Sequence, residues 1–381
     1  MFDWRYLAAP VFVAVMLPML PIVGPRDGDL AVWLIPWMSE IHRLGWHSIA
    51  GGFSEYSPAY IYVLNLFAWV HDPVAAVKLA NVPFIALLVF GVNALAGRTA
   101  AAVSLLLPTL LVNAFGYGQC DVIFTAFLVW FVVFAEREKP ALAALMFGLA
   151  FSFKAQAVFL APVVFYLLLA GRMKLRHAAL IPLTYVAMMV PAAIAGRPWG
   201  ELLTVYLNQT NVSDRLALNV PNPWWLLQFF VSYRTGVVAG LIAGVVASLA
   251  LALWAWRTKP PILLMACLAA AILPFVLPKM TGRYFFVADV LTLAMAFRNP
   301  KTWPIAASIQ AGSLIAYATH FLTFSTALFA LVPSSLGVCL LCLYAFRDAP
   351  RRQNHPRLGS GRDHLVVARD YDGLDQSSLR C

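Results

Sequence analysis

Residues 24–62 read GPRDGDLAVWLIPWMSEIHRLGWHSIAGGFSEYSPAYIY, the one long polar-dotted interval in the first half of an otherwise apolar run of sequence. The acids Asp27 and Asp29 come first, directly after an apolar segment has ended. Leu30, Trp33, Leu34, Trp37, Ile41 and Leu44 then recur at three- and four-residue steps, while Glu40, His42 and Arg43 fall off that stripe. This spacing predicts an amphipathic helix lying in a membrane interface. A Tyr-Ser-Pro turn at residues 56–58 returns the chain to apolar sequence. An acid held at the mouth of a bilayer by such a helix is a platform for chemistry.

The rest of the composition agrees with a membrane setting. Of 381 residues, 62% are hydrophobic and 12% charged, more apolar content than a water-soluble core can hide. The net charge of +10 does not point to nucleic acid, because the basic residues fall in short clusters between apolar runs. That is the positive-inside pattern. Cys339 and Cys342 form a C-x-x-C inside an apolar run without a second pair, which reads as helix packing rather than a metal or redox site.

Residues 6–23 are long enough to span and follow Arg5, which places the N-terminus in the cytoplasm and the loop at 24–58 outside, in the periplasm of a cell with an inner membrane. Residues 59–70 are apolar but short; parity asks that they dip into the outer leaflet, while a tilted crossing is the alternative and would invert the next few segments. Residues 73–95 and 99–115 read as spans on either side of Gly97-Arg98, and the word GYGQCD at 116–121 then returns to the outer face. Residues 140–170 carry basic clusters at both ends and one internal charge, Lys154, so they read as a hairpin with its turn near that lysine. An ionisable residue at such depth is by default a functional candidate; the duller reading is a snorkelling side chain. Continuing in this way gives an all-α polytopic membrane protein of about twelve spans with both termini inside. Lys279 and Arg283 break the positive-inside rule, which suggests an anionic partner at the outer face. Residues 1–196 read as a catalytic module, 197–346 as a variable transmembrane module, and 347–381 as a flexible cytoplasmic tail.

Asp27 and Asp29, Gln119 and Asp121, Lys154, and Lys279 with Arg283 are thus expected at one face. A carboxylate there can take a proton from an attacking hydroxyl, and the cations can bind a lipid-borne phosphate and stabilise the charge that grows on it. Each acid also has a plainer reading. Asp29 precedes a helix and Asp121 precedes a span, both N-cap positions, and Asp27 suits a solvated loop.

Gly28-Asp29 with Trp37, Tyr56-x-Pro58, Gly118-Gln119-Cys120-Asp121, Gly148-Leu149-Ala150 with Lys154 and Gln156, and Arg283-Tyr284 together resemble the GT-C polyprenyl-phosphate-sugar glycosyltransferases. Within them the chain is most similar to bacterial membrane proteins related to the second mannosyltransferase of GPI-anchor synthesis. The resemblance implies a GT-C-like bundle and inverting transfer of one sugar, mannose or another hexose or pentose, from a polyprenyl phosphate to a lipid or glycan acceptor at the periplasmic face. It makes Asp29 the general base, has Asp27, Tyr56, Gln119 and Asp121 position the substrates, and gives the donor phosphate to Lys154, Lys279 and Arg283. Where the family often has His-Glu before its Arg-Tyr, this chain has Met280-Thr-Gly282. No cofactor is required by the pattern; metal use varies across the superfamily, and two acids on separate loops leave a divalent cation open. A lipid-linked glycan polymerase or ligase would share the outer-face cations but would bring larger outer loops. A transporter or flippase would place polar residues at the midplane and repeat itself.

Overall fold

The computed structural model describes residues 3–23, 28–208, 214–319, 321–322 and 325–351. Helix α1 (Ala8–Met19) leads to a wide π turn over Leu30–Leu34 that runs into α2 (Ile35–Leu44). Next come α3 (Pro58–Leu66), α4 (Pro73–Leu79), α5 (Val82–Leu105), α6 (Pro108–Leu111) and a second π turn over Val112–Gly116. Helices α7 (Asp121–Glu136) and α8 (Pro140–Phe153) form a hairpin, and a 3-10 turn over Ala155–Leu160 enters α9 (Ala161–Leu169). Beyond it lie α10 (Leu175–Ala178), α11 (Leu180–Ile194), α12 (Trp199–Asn208), β1 (Ala217–Leu218), α13 (Trp224–Leu227) and α14 (Tyr233–Thr258). The last group is α15 (Ile262–Val276), β2 (Met280–Thr281), α16 (Phe286–Arg298), α17 (Trp303–Ala318) and α18 (Ala327–Arg351).

Local chemistry explains where several helices begin. Pro58 and Pro73 occupy first-turn positions that need no amide hydrogen, and the residue before each accepts a hydrogen bond from the first turn: Ser57 from the Ala59 amide and Asp72 from the Ala75 amide. The same preference explains a difference from the expected spans. Residues 99–115 are not one helix, because Pro108 cannot continue the helix before it; α5 kinks at Gly97 and ends at Leu105, and a new helix starts at Pro108.

The molecule is an all-α membrane protein, with one pair of two-residue strands among the described residues. Among those residues four helical stretches, Pro73–Leu105, Leu175–Ile194, Tyr233–Thr258 and Ala327–Arg347, are long and apolar enough to cross a membrane. Other apolar helices are shorter. Helix α8 has 14 residues, which at about 1.5 Å per residue reach about 21 Å, less than the roughly 30 Å hydrocarbon core. Length and composition alone thus assign four crossings among the described residues and leave the shorter apolar helices, and the expected total of about twelve, unassigned.

Helices α7 and α16 set the axis of the site. Asp121 begins α7 and Arg283 lies in the 3-10 turn Gly282–Phe285 that leads into α16; both helices end at an ion pair, Arg298 with Glu136 at 2.7 Å. The 16 residues of α7 put that pair about 24 Å from Asp121. Helix α8 then runs back, and its last turn delivers Lys154 to the Asp121 end, where the sequence puts a turn near that lysine. The acid–base cluster and the Glu136/Arg298 pair thus stand at opposite ends of the same helices. Between them α15 and α16 are almost wholly buried, whereas α14 exposes Leu241, Val245, Leu249 and Leu253, a face suited to lipid.

The strand pair is small but well placed. Ala217 and Leu218 run parallel to Met280 and Thr281, and the Lys279 amide donates to the Leu216 carbonyl at 2.6 Å, so residues 214–219 are tied to the segment carrying Lys279 and Arg283. Helix α14 backs this segment with Gly236, Gly240 and Gly244, against which Leu216, Pro278 and Leu277 pack. A Cβ at Gly240 would stand 2.5 Å from Pro278 Cδ and 2.8 Å from Trp224 Cζ2, neither of which is the tip of a flexible chain. Gly240→Ala gains about 0.5–1 kcal/mol of helix propensity, but overpacking of about 1–3 kcal/mol is the larger effect. The variant is therefore expected to unfold at a lower temperature than wild type in a detergent melt; an unchanged or raised midpoint would contradict this packing.

Candidate active site

The first loop folds onto the bundle rather than standing apart from it. Leu30, Leu34, Trp37, Met38 and Ile41 are buried, and Trp33 is left half-exposed. The expected stripe is largely present, with Met38 added where the π turn at Leu30–Leu34 alters the spacing. Asp29 sits at the start of that turn with helical backbone, and its side chain caps no amide. Instead its carboxylate accepts from Arg283 and, at 3.1 Å, from the Gln119 amide. The capping reading of Asp29 has no hydrogen bond behind it.

Gln119 reaches Asp29 because of a local turn. Gly118 adopts φ +65°, and a Cβ there would meet Leu30 Cδ1 at 2.9 Å, so glycine is required both for the turn and for the approach of the first loop. The Gln119 carbonyl oxygen accepts from the Tyr56 hydroxyl at 3.3 Å. Burial pushes the Tyr56 hydroxyl well above the ordinary phenol value, so it remains a donor. Burial likewise raises the Glu55 carboxyl at the edge of the site.

Asp121 is the first residue of α7 and also makes no cap. Its carboxylate is ion-paired with Lys154, accepts from the Asn113 amide at 2.9 Å, and lies 3.6 Å from Arg283 Nε. Asn113 also donates to the Tyr317 hydroxyl at 2.8 Å. Lys154 is seated among the rings of Tyr56, Phe124 and Tyr284 at 5.3–5.8 Å, an aromatic cage for its ammonium. Arg283 therefore bridges the two acids, with Lys154 on the far side of Asp121. The two carboxylates differ in access: the Asp29 side chain is 36% exposed and that of Asp121 is 1% exposed. Of these two, Asp29 is the one that stands where a substrate hydroxyl can meet it.

Two cavities adjoin this cluster and share Asp29, Leu218, Thr281 and Arg283. One, of about 190 Å³, brings Lys154 and Lys279 together with Glu55, Tyr56, Gln119 and the indoles of Trp33 and Trp37. Lys279 holds a left-handed backbone at φ +59°, an unusual conformation for a long side chain, and donates to the Tyr233 hydroxyl. The other cavity is about 380 Å³ and is lined by neutral groups besides Asp29 and Arg283. Of the residues expected at one face, the structure brings together Asp29, Tyr56, Gln119, Asp121, Lys154, Lys279 and Arg283; Asp27 lies outside the described residues. Asn113, Tyr317 and Asn219 belong to the same neighbourhood and were not foreseen. Among the described residues no group of three or more His, Cys, Asp or Glu side chains gathers to hold a metal, and Arg283 occupies the space between the two acids.

Residues 53–280 match glycosyltransferase family 87, a family of GT-C-like membrane glycosyltransferases, over more than half of the chain. The chain belongs to glycosyltransferase family 87. The match covers Tyr56, Gln119, Asp121, Lys154 and Lys279; Asp29 and Arg283 lie on either side of it and enter the site through their contacts with Gln119 and Asp121. No curated protein matches the chain. For a membrane glycosyltransferase the arrangement supplies an accessible carboxylate paired with Arg283, a second at the cavity edge in Glu55, a buried acid and lysine that fix the surroundings, and cations at a cavity wall.

Proposed function

We propose that this protein is an inverting membrane glycosyltransferase that moves one sugar, mannose or another hexose or pentose, from a polyprenyl phosphate to a hydroxyl of a lipid or glycan acceptor. The observation that carries the reading is the accessible Asp29 carboxylate set against Arg283, beside a cavity that also holds Lys154 and Lys279. In this reading the donor phosphate enters the cation-lined cavity with its prenyl chain toward Trp33 and Trp37. Asp29 takes the proton of the acceptor hydroxyl, the acceptor oxygen bonds to the anomeric carbon from the face opposite the phosphate, and the carbon–oxygen bond to the phosphate breaks. The electron pair leaves on the phosphate, which Arg283 and Lys279 stabilise. Lys154 contributes its charge from the cavity wall while Asp121 holds it in place, and Tyr56 and Gln119 orient Asp29. The face is periplasmic, the termini are cytoplasmic, and the shorter apolar helices complete a bundle of about twelve crossings in an inner membrane. Residues 1–196 carry the base and most of the pocket, and 197–346 bring the phosphate cations.

Arg283 has two tasks in this mechanism. Without donor its guanidinium holds the Asp29 carboxylate. A donor phosphate competes for the same guanidinium and frees the carboxylate oxygen for the acceptor hydroxyl at the moment a sugar is in place. Arg283→Lys, which keeps charge but loses the bidentate fork, is expected to raise the donor KM about tenfold or more and to lower kcat as well. The reading is tested by supplying purified protein with polyprenyl-phosphate sugars and sizing the product. One added sugar supports it; a ladder of products favours a polymerase, and solute flux in proteoliposomes without transfer favours a transporter.

A further inference from the structure

A third cavity lies at the other end of the bundle from the catalytic cluster. Its volume is about 250 Å³, and residues of α14, α15, α16 and α18 line it. One of them is Arg298, the partner of Glu136, about 24 Å along α7 from Asp121. Buried Leu263 and Met295 supply an apolar wall, and Lys259, Arg298, Asn299 and Tyr344 a polar one; no acid lines the cavity among the described residues.

The two cations are held differently. Each terminal nitrogen of Arg298 donates to a Glu136 oxygen, at 2.8 and 2.7 Å, and its Nε donates to the Leu95 carbonyl. The guanidinium is thereby fixed, with two of its five N–H donors left over. Lys259 is exposed, and its ammonium has no ion pair or hydrogen bond among the described residues. Its backbone closes α14 in the left-handed region, at φ 49° and ψ 52°, where a glycine or asparagine ordinarily stands. Pro260 follows, and the residue before a proline is itself driven toward extended backbone. A lysine here runs against both preferences, and backbone of this kind gathers at ligand clamps.

The surroundings point to the source of the anion. Trp256 on α14 and Leu343 and Phe346 on α18 are exposed within two residues of the lining positions, and Phe346 meets Trp254 edge to face at 6.2 Å. An exposed tryptophan beside basic residues at a helix end marks the membrane interface, and a basic pocket between helices at that level suits an anionic lipid headgroup. The volume of about 250 Å³ is below the roughly 300–1,000 Å³ usual for whole small molecules, room for a headgroup whose chains stay outside.

We propose that this cavity binds the phosphate of an anionic phospholipid from the leaflet opposite the catalytic cluster. Lys259 and Arg298 take the phosphate oxygens, beside the Asn299–Tyr344 hydrogen bond of 2.8 Å. The bound lipid ties the ends of α14, α16 and α18 together. The site is independent of the sugar-transfer mechanism and stands or falls without it.

The test titrates full-length protein in an uncharged detergent with dioctanoyl phosphatidylglycerol, dioctanoyl phosphatidylcholine and inorganic phosphate, and also melts the protein without ligand. Wild type is expected to bind phosphatidylglycerol about fivefold or more tighter than phosphatidylcholine, and not to bind inorganic phosphate over the same range. Lys259→Asn is expected to weaken phosphatidylglycerol about fivefold, the share of one basic residue at an anionic lipid surface. Its melting midpoint without ligand should be unchanged or higher, because asparagine tolerates the left-handed backbone, whereas a structural role for the lysine predicts a lower one. Arg176→Asn removes the same charge from exposed α10, which follows the Arg172–Glu138 ion pair at that end, and should leave the affinity within about twofold. Equal binding of phosphatidylcholine, wild-type affinity in Lys259→Asn, a lowered midpoint in that variant, or an equal loss in Arg176→Asn would each overturn the site. Binding of inorganic phosphate as tightly as phosphatidylglycerol would overturn the lipid assignment in favour of a soluble phosphate.

Discussion

Asp29→Asn is expected to slow sugar transfer by about 10²–10⁴-fold, the usual contribution of a general base, while the protein inserts and purifies as wild type does. The substitution keeps the side-chain shape and an oxygen able to accept from Arg283 and Gln119. Arg283 also keeps a carboxylate 3.6 Å away in Asp121, so its charge is not stranded. What disappears is the proton acceptor. Asp121→Asn acts differently, because that acid is 1% exposed and has no route to a substrate hydroxyl. Its effect should come through the positions of Lys154 and Asn113, and hence through donor KM and stability. Wild-type turnover in Asp29→Asn would remove the base assignment. A comparable loss in both variants, without any loss of stability in Asp121→Asn, would show that the two acids share one chemical role.

Lys154→Met is expected to destabilise the protein by about 3–5 kcal/mol, the effect of leaving one member of a buried pair without its partner. The lysine is 4% and the aspartate 1% exposed at the side chain, so water does not screen or replace the missing charge. Asn113 and Arg283 still touch Asp121, which favours the lower end of that range. Adding Asp121→Asn to Lys154→Met removes the stranded charge. The double variant should recover most of the stability, because a buried pair as a whole is worth little against neutral side chains of similar size. A double-mutant cycle of denaturation in detergent reads the coupling directly. Additive losses, or no loss in Lys154→Met, would show that the pair does not bear on stability. Transfer should stay impaired in the double variant even where stability returns.

The parts of the site legible in the sequence are those written as short polar words in apolar surroundings. Asp29, Gln119, Asp121, Lys154 and Arg283 stand out because burying a charge or amide in a membrane protein is costly, so each such residue asks for a partner. The break at Lys154 was legible from the single charge in an apolar stretch, and α8 ends there; the helices on either side pack on different partners, α8 on α7 and α11 and α9 on α14 and α15, rather than on each other as a hairpin. Asn113 and Tyr317 were not legible. They meet at 2.8 Å across a separation of 204 residues, and nothing in either helix's spacing announces the partner. Asp289 is fully buried in the first turn of α16 and accepts from Ser313 at 2.9 Å, an acid inside an apolar run that a span count passes over but that the rule on buried charge would have flagged. The strand pair at Ala217–Leu218 and Met280–Thr281 is too short for any alternation to show, yet it brings Lys279 and Arg283 to the first loop. The division of residues 99–115 was not legible as an apolar run alone, because Pro108 starts a new helix inside it.

The most direct measurement follows release of label from a panel of radiolabelled polyprenyl-phosphate sugars by membranes carrying wild type or Asp29→Asn, supplied with a cell-envelope acceptor fraction. Release from one donor by wild type, lost in Asp29→Asn and accompanied by one added sugar on the acceptor, is the result this account predicts. Release that persists in Asp29→Asn, or no release from any lipid-linked donor while soluble nucleotide sugars are consumed, would contradict it.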